Sequence, residues 1–234
     1  MTTNAPLDER QLAIGCIAAH AATGDMSGLA EALNFGLDAG LTISEAREVL
    51  VQLYAYAGFP RALNALTQLM RVLEARRNRG INDAPGRAPT PLPAEQSMLD
   101  IGTANQTHLS GAPVRGPLFE FAPAIDHFLK SHLFGDIFAR DNLDWASREL
   151  ATVGALSAMT GVDAQLQAHI RISMNTGLTF GQLEHFASAL TGRGDTQAGQ
   201  RLLTALSQHV ETRSPGLPTG EAPDGLEPSN STIP

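Results

Sequence analysis

A single cysteine, Cys16, occurs in the 234 residues of the chain. That excludes an intrachain disulfide framework and any CxxC redox or zinc motif. Aromatic residues are scarce, at 5%. With alanine and leucine dominant, this favours close-packed helices over a β-sandwich. Cations are outnumbered too: 16 Lys and Arg against 24 Asp and Glu leave a net charge of −8. A phosphate-binding surface needs clustered Lys and Arg, so no nucleic-acid partner is expected. The densest basic run, Arg71 to Arg79, falls at a helix end, where cations complement the macrodipole. It reads as a solvated helix end more readily than as a phosphate or carboxylate site. Also missing are an apolar run near the roughly 20 residues that span a bilayer and, in Met1 to Arg10, a secretory leader. A soluble, cytoplasmic protein with no membrane partner is the expectation.

What is present is enough for a core: 43% of residues are hydrophobic and 17% charged, in a chain long enough for one large domain or two small ones. Residues 8–23 read as a helix with Leu12, Cys16 and Ala19 on one face. After a turn at Gly24-Asp25 comes a leucine stripe (Leu29, Leu33, Leu37) that ends at Gly40, a good left-handed cap. Thr42-Ile43-Ser44-Glu45 has capping-box form and opens a helix that buries Val49, Leu50 and Leu53 and stops near Gly58. Pro60 suits the first turn of the next helix, whose stripe is Leu63, Leu66, Met70 and Leu73.

Residues 78–117 break the pattern. Pro85, Pro89, Pro91 and Pro93 suggest an extended connector, with apolar anchors between Met98 and Leu109 around Thr103-Ala104-Asn105-Gln106-Thr107. Such a patch either lines a pocket or is a loop packed across the helices. Helical pattern returns at Pro123 to Leu133, Ala146 to Met159 and Asp163 to Thr176. Thr179-Phe180-Gly181-Gln182 repeats the capping-box form, and a last helix spans Thr196 to Thr212. The final segment, 213–234, is rich in Pro, Gly and Ser and is expected to be disordered.

A shift of 137 residues sets Gly24 on Gly161, Leu29 on Leu166, and Gly40-Leu41-Thr42 on Gly177-Leu178-Thr179. The order helix, glycine stop, threonine cap, helix thus occurs twice, which points to a duplicated unit. The expected organisation is a first unit at 1–77, a connector at 78–117, a second unit at 118–212 and the tail.

The run from Leu37 to Ala65, with "EAREVLVQLYAYAGFPRALNAL" and the Tyr56, Gly58, Pro60 joint, resembles the second half of a carboxymuconolactone decarboxylase domain. Residues 145–183, with the "REL…H.R…G.T" run, resemble its first half. The segment from "TANQT" to "NLDW" resembles double-domain members of that family. The resemblance implies an all-α, AhpD-like helical fold in two tandem divergent repeats, assembled as a homo-oligomer, with a trimer expected for a double-domain chain.

In AhpD-like enzymes the chemistry rests on a glutamate, a CxxC pair and a histidine. Carried over onto this chain, the glutamate falls on Glu149 and the histidine on His169. Both cysteines are missing, and Gln165 stands near the place of the second. In the first unit the matching positions are Gln11 and Ala32, so that copy has lost the site. A histidine can move a proton to or from a carbon acid, and a nearby carboxylate can fix its tautomer. Arg171 offers a cation for a substrate carboxylate, although two positions along a helix point about 200° apart. Asn105, Gln106 and Tyr56 complete the candidate substrate-binding set.

The resemblance therefore implies a cofactor-free lyase or isomerase acting by proton transfer on a small carboxylated lactone or related carbon acid. The alternatives are thiol-dependent peroxide reduction through Cys16, and a non-catalytic oligomer or binding scaffold. Without the resemblance, Glu149 reads equally well as an ion-pair partner of Arg148 or Arg140. His127 and His132 form no HExxH-type pattern, and no metal or other cofactor is expected.

Overall fold

The computed structural model describes residues 5–92 and 95–213. The tail beyond Arg213 lies outside the described residues. In chain order the helices are α1 (Glu9–Thr23), α2 (Met26–Asp38), α3 (Ile43–Asn78), α4 (Met98–Ser110), α5 (Pro117–Phe121), α6 (Pro123–Phe128), α7 (Trp145–Ala158), α8 (Asp163–Asn175), α9 (Phe180–Gly192) and α10 (Thr196–Arg213). A π-helical stretch, Leu129–Ile137, runs on from α6. No strand occurs among the described residues, as the composition led one to expect.

Helices α1 and α7 lie at the centre. A one-sided apolar face was expected for α1, yet the helix is buried from Leu12 to Ala22 on every side but that of His20. In the same way α7 is buried from Ser147 to Ala158. Their backbones meet at two glycines. A Cβ added at Gly154 would stand 2.3 Å from the Gly15 carbonyl oxygen, and one added at Gly15 would stand 2.2 Å from the Phe186 ring. Only glycine permits this approach, because the obstructing atoms are backbone on one side and a buried ring on the other.

Around this pair each half of the chain lays its other helices with similar local chemistry. Asp8 caps α1 in a reciprocal box with Gln11. Thr42 and Thr179 cap α3 and α9 in the same way, with Glu45 and Gln182. Gly24 and Gly161 take φ of 77° and 76°, and Gly40 and Gly177 take 88° and 100°, the left-handed region that stops a helix where a side chain would be strained.

Helix α3 is interrupted at Gly58 (φ 80°, ψ 162°), two residues before Pro60. Beyond it the buried stripe is Ala62, Ala65, Leu69, Val72 and Arg76. The stripe expected from the leucines is therefore wrong in part. Leu63 and Met70 are 58% and 70% exposed, because the small alanines let α3 approach the core along the neighbouring line of positions. Arg76 likewise leaves the solvated helix end expected for it. It is buried, with Asp83 on its Nε and Nη2 and Asp38 2.8 Å from Nη2.

The connector is extended only in its first part. Ala84 and Pro85 carbonyls accept from the free N–H groups of Ile43 and Ser44 at the start of α3, and Thr90 binds Asp141. Residues 98–110 then form a helix, capped by Ser97 and stopped at Gly111 with φ 77°. The Thr103–Thr107 patch is thus a helix surface, held because Gly102 lets the α4 backbone approach Lys130 and Gly135 closely.

If the α1–α7 contact is as tight as these distances show, Gly154→Ala should lower the free energy of unfolding by about 3 kcal/mol. Gly192→Ala, where an added Cβ meets nothing within 4 Å, should be close to neutral. Urea denaturation of the two variants measures the difference; equal stability would disprove the tight crossing.

Candidate active site

Helix α3 presents a polar line to α7. Glu48, Gln52 and Tyr56 are four apart and so share one face, opposite Arg148 and Thr152, which are also four apart on α7. Glu48 and Arg148 are 1% and 0% exposed and meet at 2.9 Å. Arg140 adds a second cation to Glu48 at 2.8 Å, and Asn142 donates to the same carboxylate. Burial on its own would raise the Glu48 pKa, but the hydrogen bonds and charges of Arg140 and Arg148 overcome it and hold the group below the ordinary carboxylate range. Gln52 donates to the Arg148 carbonyl and to Thr152 Oγ1, and accepts from Arg148 Nη1.

This network decides where Glu149 turns. Neither arginine beside it in sequence takes it, since Arg148 and Arg140 are both committed to Glu48. Glu149 is 0% exposed, and its Oε2 lies 2.8 Å from His169 Nδ1. Its other oxygen is buried with no hydrogen-bond partner among the described residues. With the carboxylate as acceptor, Nδ1 carries the hydrogen and Nε2 the lone pair. The His169 side chain is 10% exposed.

Tyr56 comes from the other half of the chain. Placed by the last turn before the Gly58 break, its ring meets His169 edge-on, with centroids 5.5 Å apart at 79°. Burial first, and the Glu149 charge second, push its hydroxyl pKa well above the ordinary phenol range. Thr152 pulls the other way, yet no group among the described residues lies in hydrogen-bonding geometry to the buried hydroxyl. Tyr56 therefore remains a proton-bearing donor beside the Glu149–His169 pair. Ser173, one turn beyond His169 on α8, is fully buried and its hydroxyl also has no partner among the described residues.

Of the residues singled out in the sequence, Glu149, His169 and Tyr56 are brought together. The remaining three are not. Arg171 is exposed, on the far side of α8 from His169, as the 200° turn implies. Asn105 donates to the Phe134 carbonyl and lines a cleft with Trp145 and Arg140. Gln106 lines another cleft, beside Lys130. Glu48 and Gln52 were missed. Their signal was two polar residues, four apart, on a helix face otherwise filled by Val49 and Leu53.

The matching positions of the first unit hold no such pair. Gln11 closes the α1 capping box, and Ala32 lines a cleft of about 420 Å³ with Cys16, His20 and Arg193. Burial pushes the Cys16 thiol up to about 11, against a partial pull from Arg193. A thiol so placed is not an ionised nucleophile at neutral pH. Among the described residues no three His, Cys, Asp or Glu side chains gather as a metal site, and no helix is long and apolar enough to cross a membrane.

Cys16 should accordingly react with a disulfide reagent at pH 8 at least roughly a hundredfold more slowly in the native protein than in denaturant. Equal rates would show the thiol to be open and ionised.

No curated protein matches the chain. Residues 123–208 match the model of the carboxymuconolactone decarboxylase family, a segment that holds both Glu149 and His169. The all-α architecture of the described residues is consistent with an AhpD-like fold, and residues 123–208 are the part of the chain similar to a carboxymuconolactone decarboxylase family domain.

Proposed function

We propose that the protein is a cofactor-free lyase or isomerase that acts by proton transfer on a small carboxylated lactone or related carbon acid. The supporting observation is the buried contact of 2.8 Å between Glu149 and His169 Nδ1, with Arg140 and Arg148 both paired to Glu48 instead. Glu149 orients the ring and stabilises the imidazolium formed when Nε2 takes up a proton, as a buried carboxylate does for a catalytic histidine elsewhere. In a decarboxylation the bond to the substrate carboxylate breaks as carbon dioxide leaves. Its electron pair moves into the conjugated lactone carbonyl, and the His169 imidazolium delivers the Nε2 proton to carbon. Tyr56, still protonated, donates a hydrogen bond to the oxygen on which negative charge develops.

The buried, protonated Cys16 thiol counts against peroxide reduction at that residue. The two units form one site in this reading: the second supplies Glu149 and His169 and the first supplies Tyr56, as expected of a duplicated helical unit whose first copy has become structural.

With a γ-carboxylactone substrate, His169→Ala should lower the rate of carbon dioxide release by roughly 10²–10⁴-fold, and Glu149→Gln by a comparable factor with the fold intact by circular dichroism. Unaltered release in His169→Ala would overturn the assignment.

We also propose self-association as a homotrimer. Helices α5 and α6 bury none of their residues, and leave Leu118, Phe121 and Phe128 64%, 88% and 59% exposed. Phe59, Leu63 and Met70 are similarly bare on α3. Apolar surface of this kind is characteristic of a protein interface. Light scattering after size-exclusion chromatography should return three times the 24.7 kDa chain mass; a monomer at micromolar concentration would contradict it.

A further inference from the structure

A second cleft stands apart from His169 and Glu149, between α4, the turn after it, and α5 and α6. Its volume is about 390 Å³, ample for a small molecule. Gln106 lines it while only 4% exposed, and its side-chain amide has no hydrogen-bond partner among the described residues. An amide left free in so enclosed a position is available to a ligand in the cleft. A buried unsatisfied group belongs to another residue of the same cleft. Asp126 accepts from Lys130 Nζ through Oδ2 at 2.6 Å, and its Oδ1 is buried without a partner.

The charges around the cleft balance. Arg115 and Lys130 are cationic, Glu120 and Asp126 anionic, and all four line it. A ligand of a single sign would be repelled by one pair as strongly as it is drawn to the other. A ligand carrying both signs a few ångströms apart satisfies both. Phe119 supplies an apolar wall, and the cleft adjoins a wider one of about 820 Å³ that shares Asp126 and Lys130.

We infer that this cleft is a binding site for a free α-amino acid with an apolar side chain. The ligand carboxylate meets Arg115, which has no ion-pair partner among the described residues and is exposed at the rim. The ammonium meets the Asp126 carboxylate, whose side chain is partly exposed on the cleft, and Gln106 completes the polar contacts. The side chain lies against Phe119. The site is independent of the chemistry proposed for His169.

Isothermal titration of the full chain with L-phenylalanine tests this, with N-acetyl-L-phenylalanine and 2-phenylethylamine as probes that lack the ammonium and the carboxylate. The zwitterion should bind saturably, and each truncated probe roughly tenfold or more weakly. Arg115→Ala, an exposed change that leaves the fold alone, and Gln106→Leu should each weaken phenylalanine binding by a similar factor. His169→Ala should bind it as the wild type does. No saturable binding, equal affinity for the three probes, indifference to Arg115→Ala, or loss in His169→Ala would each overturn the proposal.

Discussion

Where α1 crosses α7, the Gly15 carbonyl faces the Cα of Gly154 with no room for a methyl group between them, and the rest of the molecule is arranged around that contact. Two helices this close exclude water from both, so each must be apolar or internally satisfied on all sides. For α1 the answer is an apolar surface all round: alanines, Gly15 and Cys16 alternate with Leu12, Ile14 and Ile17. For α7 the answer is different, because Arg148, Glu149 and Thr152 stand among its buried residues and each needs a partner inside the protein.

Those partners come from the flanking helices. The Glu48–Gln52–Tyr56 line on α3 matches Arg148 and Thr152 turn for turn, and the pairing exhausts both arginines near the start of α7. Glu149, one residue and about 100° further round the helix, is left facing α8, where His169 is the group that answers it. The close crossing thus creates a dry interior, the dry interior demands charge pairing, and the pairing leaves one carboxylate to a histidine. An ion pair with Arg148 would have made Glu149 structural.

The two halves contribute unequally to the Glu149–His169 cluster. Gln11 is spent on capping α1 and Ala32 on lining a cleft, so the first half has nothing to set against Tyr56. Its contribution beside His169 is that tyrosine, placed by the turn before Gly58. The apolar line on the outer face of α3 follows from the same geometry: once Ala62, Ala65 and Leu69 face inward, Leu63 and Met70 must face out.

Much of this was legible in the chain itself. Glycine stops and threonine caps are local devices whose physics does not depend on distant residues, so the helix boundaries at Asp8, Gly24, Thr42, Gly58 and Thr179 could be read directly. The scarcity of aromatics and the single cysteine bounded the fold class and removed the disulfide chemistry. Glu149 and His169 could be named as candidates, but their contact across 20 residues could not, since Arg148 and Arg140 were equally near in sequence. Which stripe of α3 is buried, whether 98–110 is a loop or a helix surface, and where Arg171, Asn105 and Gln106 point were settled by packing between distant helices. A small residue on one helix invites a close approach, and the approach, rather than the local hydrophobic pattern, chooses which neighbours are enclosed.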